Sequence, residues 1–519
     1  MEKPLWVPGQ DRIDRANLSR FMRFVRQETG NADLNSYAPL YRFSIEQPAA
    51  FWTMLWDFVG IRASGDRHCV LADGESMLGA RWFPEVSLNF AQNLLRFDDE
   101  RIAIRCHDVD GEHESLSYAQ LQRRVAALAA ALRSRGVVAG DCVAAVLPNV
   151  PDAMVAMLAS ASLGAVWFAV PGDCSFAHAR LLFEPLQPKV LFVAEHACID
   201  DDALASAEWL VSVSGYRPAL PMPERVVPLA KFTASFADAD LEFAPVAFAH
   251  PLYFTRAALS GGAQETLMHG TGGTLIQHLK ELVLHVDLKR EDKIFFHAGN
   301  NSMAWYWLAS SLAIGATLVL HAGADFPADQ AALWDLVDDY GITVLGVHSH
   351  WLDAAAHSGL RPVQSHRLQT LKTILVAGAA LPAAAYDYVY RDIKERVFLA
   401  PLSTGGDTLA CFALGSPLLP VWRGEIPCRG LGMKVEVIDA FGEPTVGTFG
   451  ELACGAPFPS MPLGFWNDAD KFRFTEAYLS RQPGRWCAGE TALLTERESL
   501  VLAGSDEGRL SERRDAERA

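Results

Sequence analysis

Asp407 closes the run Ser403-Thr404-Gly405-Gly406-Asp407, an acid on a glycine turn. One carboxylate so placed suits a hydrated Mg²⁺, which keeps several waters and takes few protein ligands. It equally suits capping of the turn's own N–H groups. A second glycine turn, Ser260-Gly261-Gly262, presents backbone N–H groups to a small anion, or is an ordinary surface loop. His348-Ser349-His350 sets two histidines at i and i+2, a weak metal pattern on an extended segment. The sequence has no HExxH, no GxSxG and no Walker-type loop, so the common zinc-hydrolase, nucleophile-elbow and P-loop chemistries lack their signatures. The nine cysteines include no CxxC pair, which indicates neither a structural zinc nor a disulfide framework and predicts a reducing compartment.

The formal charge of −17 disfavours a nucleic-acid partner, since such binding rests on lysine and arginine neutralising phosphates. Half of the residues are hydrophobic and 21% are charged, the balance of a chain that folds around a core. The opening Met1-Glu2-Lys3-Pro4-Leu5-Trp6 lacks the basic region and apolar stretch of a secretory signal, and the expected location is the cytoplasm. Two uncharged stretches, 153–170 and 303–320, approach membrane-spanning length. Each is broken by a Gly-Ala pair, Gly164-Ala165 and Gly315-Ala316, before a β-branched and aromatic run, so each reads as helix then strand and no membrane is expected.

The elements that must carry these residues follow the same grammar. Short buried strands are predicted at Val190–Val193, Val344–Val347 and Thr373–Val376, separated by helical or polar segments, which implies two doubly wound parallel α/β layers. From about residue 421 the pattern changes to short alternating strands punctuated by Gly, Pro and Asp, as in Met433–Asp439, and a small β-rich subdomain is predicted. Residues 507–519 hold few apolar groups and read as a tail.

Several blocks recur in order along the chain: Gly79-Ala80-Arg81-Trp82-Phe83-Pro84, His269-Gly270 with His278-Leu279-Lys280, Arg423-Gly424-Glu425-Ile426 with Cys428–Met433, and Pro457–Pro462 before Gly464-Phe465-Trp466-Asn467-Asp468. In these the chain resembles the acetoacetyl-CoA synthetase family of adenylate-forming ligases. The resemblance implies an adenylate-forming N-terminal domain with two doubly wound α/β subdomains and a β-rich one. It implies a layout of an N-terminal helical region (1–100), the α/β core (101–420), the β-rich part to a hinge (421–506) and the tail (507–519). It also implies a two-step chemistry: a carboxylate attacks the α-phosphate of ATP, then the thiol of CoA displaces AMP.

Carried over residue by residue, the family pattern is met unevenly. The serine, threonine and glycine-rich phosphate loop aligns with Ala257–Glu265, where most hydroxyls are gone and Glu265 stands at the lysine position. Like charge beside a polyphosphate is unfavourable in a partly desolvated site. Asp407 matches the phosphate and metal acid while Gly406 replaces a threonine, and Glu490 replaces the ribose-binding aspartate in Trp486-Cys487-Ala488-Gly489-Glu490. Asn301, Ser302 and Met303 fall on the acyl-pocket stretch, with a roomier pocket implied, and Trp305 and Trp307 read as packing. Asp506 matches the hinge acid with Gly504 in place of the hinge arginine, and thirteen residues follow it. The expected nucleotide contacts are therefore Ser403 to Asp407, Glu490, Asp506 and Ser260 to Gly262, with ATP or AMP, Mg²⁺ at Asp407 and CoA conditional on retained family chemistry. These departures make the leading expectation a homologue that binds an acyl or nucleotide-like ligand, lacks the mobile C-terminal domain and is not a complete ligase by itself. Two alternatives stand beside it: an active acid–thiol ligase working with a separate C-terminal domain, and a regulatory or assembly partner of a biosynthetic enzyme.

Overall fold

A computed structural model describes residues 3–108, 111–195, 207–214, 223–259, 262, 264–323 and 331–504. The two uncharged stretches are helix then strand, as their composition requires. Helix Pro151–Ser162 is buried at every residue and leads into strand Val166–Pro171. Helix Met303–Ser310 runs through a 3-10 turn, Ser311–Ile314, into strand Thr317–His321. Between the halves, Gly164 and Gly315 take positive φ, +73° and +86°, the left-handed conformation that stops a helix cheaply because glycine has no Cβ.

Those units build two large sheets. The first runs Val226–Pro228, Trp209–Val213, Val190–Ala194, Cys142–Leu147, Val166–Pro171, Pro251–Ala258, Gln264–Gly270 and Gly464–Phe465 in spatial order. Its strands are parallel as far as Pro251–Ala258, and the last two pairings are antiparallel. The second runs Phe398–Pro401, Thr373–Ala377, Val344–His348, Lys293–Phe296, Thr317–His321, Ile102–Asp108 and Gly111–Ser117, parallel except for the final hairpin. In each sheet one strand is flanked on opposite sides by the next two: Cys142–Leu147 in the first, Lys293–Phe296 in the second. These are topological switch points, where the crevice beyond the carboxyl ends of the strands takes ligands in open α/β sheets.

A third, four-stranded antiparallel sheet follows: Val435–Ile438, Phe449–Cys454, Trp486–Leu494 and Leu500–Leu502. The N-terminal helices hold its approach. Tyr37 Oη donates to the Arg429 carbonyl, Tyr41 Oη donates to the Met433 carbonyl at 3.0 Å, and Gly432 N–H donates to Ser44 Oγ at 2.8 Å. Gly432 has φ +73°, and a Cβ there would come within 2.6 Å of the Trp52 ring. The backbone thus lies directly on the aromatic layer. No helix among the described residues is long and apolar enough to cross a membrane.

Helix Thr271–Lys280 passes through the centre with all of its residues buried, and continues as a π-turn, Glu281–His285. His278 hydrogen-bonds Ser310 Oγ and the Leu409 carbonyl, and His285 the Gly415 carbonyl. His269, on the strand just before, hydrogen-bonds Thr255 Oγ1. Burial, the largest cause in each case, pushes all three imidazoles down to about 3. An imidazole in the unfolded chain titrates near 6.5, so protons favour unfolding. Stability is fully present above that value and falls as pH drops toward 3, by roughly 2 kcal/mol per histidine at pH 5. Urea denaturation should therefore give a lower midpoint at pH 5 than at pH 7, and replacing His285 by Gln should flatten the difference; equal midpoints would contradict it.

Candidate functional site

Strand Phe398–Pro401 delivers the Ser403–Asp407 turn to the carboxyl edge of the second sheet, where an antiparallel bridge between Ser403 and Ala413 fixes it. Gly405 and Gly406 have φ +60° and +81°, and a Cβ on Gly406 would meet Ala488 at 2.4 Å. That close approach brings strand Trp486–Leu494 alongside. Trp486 Nε1 donates to the Gly405 carbonyl at 3.0 Å, and Ser403 Oγ donates to Glu490 at 2.8 Å. Tyr478 stacks on Trp486 at 4.1 Å and donates its hydroxyl to Asp407 at 2.7 Å. Two sequence-predicted acids, Asp407 and Glu490, thus sit on facing segments joined by hydrogen bonds. Burial raises the pKa of both, opposed by the Tyr478 hydroxyl at Asp407 and by Ser403 at Glu490.

The loop that resembles a phosphate cradle reads differently in three dimensions. Pro251–Ala258 and Gln264–Gly270 form an antiparallel ribbon with Ala257 opposite Glu265. Ser260 and Gly261 lie outside the described residues, and Gly262 is a positive-φ turn residue whose N–H donates to the Leu259 carbonyl. The carboxylate of Glu265 is not a bare negative charge. Arg473 pairs with it and also donates to the Trp466 and Asn467 carbonyls at 3.3 and 3.0 Å. Like-charge repulsion against a phosphate, expected from Glu265 alone, is therefore offset in place. Asp468 organises this corner, accepting from the Phe474 and Arg473 N–H groups at the start of helix Phe472–Tyr478. Asp506 lies outside the described residues.

Asn301, Ser302 and Met303, expected on the acyl-pocket stretch, stand at the start of a helix. Ser302 caps helix Met303–Ser310, accepting from Trp305 N–H and donating to the Gly299 carbonyl at 2.8 Å. Its hydroxyl is occupied, and Asn301, Ser302 and Met303 do not line the neighbouring cavity. That cavity, about 320 Å³, is walled by the segment just before them, His297 to Asn300, together with Leu147–Asn149, Pro171–Asp173, His321–Gly323, His348 and His350. Trp305 and Trp307 are fully buried packing residues, as read. The cavity walls are the carboxyl ends of strands from both sheets, so the two switch points face each other across one space.

His348 and His350 belong to this cavity, yet among the described residues no group of three or more His, Cys, Asp or Glu is arranged to hold a metal ion. Asp407 offers one carboxylate, and Mg²⁺ bound there takes its remaining ligands from water or phosphate oxygens. Sequence reasoning missed His297, His321 and Asn300. His321 closes the run that reads as a strand after Gly315-Ala316, whereas strand Lys293–Phe296, which leads to His297 and Asn300, was not predicted.

Tyr478→Phe keeps the stack on Trp486 and removes the hydroxyl that donates to Asp407. The expected loss is about 1–3 kcal/mol, the value of a hydrogen bond to a charged group at a half-buried site, read by denaturant unfolding at pH 7. A change near zero would mean that Asp407 has found water instead.

Comparisons with known proteins agree with this geometry. The pattern of AMP-binding enzymes matches residues 90–227 and 284–458, and the acetyl-coenzyme A synthetase N-terminus matches residues 37–94. The chain is 36% identical to the acetoacetyl-coenzyme A synthetase of Rhizobium meliloti, over 98% of this chain and 80% of the relative. It is 35% identical to that of Xenopus tropicalis, over 98% and 79%. The solved acetoacetyl-CoA synthetase from Streptomyces lividans superposes with a TM-score of 0.89 at 32% identity, covering 97% of this chain and 80% of that one. The matched segments, the identity to these relatives and the shared fold together place the chain in the acetoacetyl-CoA synthetase family of AMP-binding enzymes.

Proposed function

We infer that the protein is an acid–thiol ligase of the adenylate-forming type that takes a short organic acid, ATP and CoA. The observation that carries this reading is the shared edge of the second sheet. Its strands end at the cavity on one side and at the acid pair on the other, with Thr373–Ala377 between Val344–His348 and Phe398–Pro401. Neighbouring strands are spaced about 4.8 Å apart, so the cavity edge and the turn lie on the order of 10 Å from each other. That span suits an acyl group in the cavity joined to an adenosine phosphate over the turn. Glu490 accepts from ribose hydroxyls, and Asp407 faces the phosphate with whatever Mg²⁺ the nucleotide brings. Arg473, paired with Glu265, brings a cation to the position of the missing loop lysine. CoA supplies the thiol that displaces AMP.

A second reading, binding without turnover, is favoured by one observation: Ala257–Glu265 contains no lysine and a single hydroxyl, Ser260. Nothing supports a protein partner. Calorimetry with AMP and pyrophosphate exchange with a panel of short acids separate the two readings. The ligase reading expects AMP binding that weakens about tenfold in Glu490→Ala, the cost of one charge-assisted hydrogen bond, together with acid-dependent exchange above a no-acid control. AMP binding with no exchange for any acid leaves the binding-only reading. No nucleotide binding at all removes both.

A further inference from the structure

Four imidazoles meet in the cavity at the double switch point: His297 at the end of one strand, His321 at the end of the next, and His348 and His350 beyond a third. His321 is buried, His297 and His348 are half-buried, and His350 is exposed. Among the described residues no lysine or arginine lines the cavity, and the one acid that does is Asp173, exposed at the rim. His348 stacks with His350 at 5.5 Å between centroids, and His321 stacks with His107 at 5.8 Å. His107 also contacts Tyr340, and Asp108 pairs with His113, so these groups make up the charge surroundings of His321 from the neighbouring strand. The lining therefore offers many N–H donors and a charge that rises with each proton taken up.

We propose that this cavity selects short dicarboxylic acids, holding the second carboxylate among His297, His348 and His350 while the first points toward the Ser403–Asp407 turn. The proposal rests on the ligase reading for which carboxylate reacts, but the binding stands on the cavity alone. Its chemistry follows from proximity. Protonating one imidazole in a cluster of imidazoles is unfavourable, and an anion among them offsets the repulsion. Burial, the neighbouring His107 and His297, and, for His348, the neighbouring His350 hold the pKa of His321 down to about 4 and that of His348 below its ordinary value. A bound carboxylate raises both. Binding is then coupled to proton uptake and strengthens as pH falls below neutrality. A ketone in the same place accepts a hydrogen bond but brings no charge, so it gains much less.

Isosteric pairs isolate that difference, since malonate and acetoacetate, or succinate and 4-oxopentanoate, differ by a carboxylate oxygen against a methyl group. Calorimetry on the full chain at pH 6 should show each dicarboxylate binding at least about tenfold more tightly than its keto partner, the scale of a charge-assisted hydrogen bond. Proton uptake should appear as a dependence of the heat on buffer, and the preference should shrink by pH 8. His348→Asn should abolish most of the preference, and His350→Asn, at an exposed position, should reduce it without threatening the fold. Equal affinity within a pair, no effect of pH, or a preference that survives both substitutions overturns the proposal. Binding that needs added Zn²⁺ and vanishes with EDTA also overturns it, in favour of a metal centre. AMP binding without dicarboxylate binding sinks this inference and spares the ligase reading; the reverse result does the opposite.

Discussion

Lys280 and Glu281 form an ion pair at 3.2 Å with both side chains wholly buried, and the interior is arranged to make that tolerable. Burying one such charge costs several kcal/mol unless it is paired and hydrogen-bonded. Here Glu281 also accepts from Gln277 Nε2 and from the Cys411 N–H, each at 2.8 Å. The second of these bonds matters most, because Cys411 lies just beyond the Ser403–Asp407 turn and its segment bridges back to Ser403. His278 takes the Leu409 carbonyl from the same segment, and His285 takes that of Gly415. One polar helix thus dictates where the Ser403–Asp407 turn can sit.

A rigid core of this kind allows the site itself to be loosely built. The turn and strand Trp486–Leu494 meet through glycine contacts and side-chain hydrogen bonds, with two carboxylates held above their ordinary pKa values by burial. Such carboxylates are poised to gain from a ligand that replaces lost solvation. The cavity at the double switch point has the same logic with opposite sign, the pKa values of His321 and His348 held down by burial and by neighbouring imidazoles. Acidic and basic groups therefore lie at carboxyl ends of strands of the same sheet, two strands apart.

Much of the architecture was legible because uniform apolar runs interrupted by glycine have few alternatives to helix and strand. Val190–Val193, Val344–Val347 and Thr373–Val376 are strands within a residue of their predicted bounds. The glycine turns that carry Asp407 and Glu490 were legible too, and the structure brings them side by side. The partners were not. Arg473 reaches Glu265 from 208 residues away, and no local pattern announces that. His297, His321 and His348 come together because three strand ends align, a fact of sheet order that spacing does not encode. Ser302 caps its helix, a role that a serine ahead of an apolar helix commonly takes and that the resemblance alone did not bring out.

The grip of the first residues on the last third of the chain also constrains how the protein is made. Trp6 bridges Val421, and Tyr37 and Tyr41 reach carbonyls at 429 and 433. A ribosome adds about 5–20 residues per second, so the N-terminal helices wait on the order of tens of seconds for their partners to emerge. Throughout that interval Phe21, Phe51 and Trp52, all fully buried at the end, have no permanent cover. Until then the aromatic layer that later receives Gly432 lacks that part of its cover.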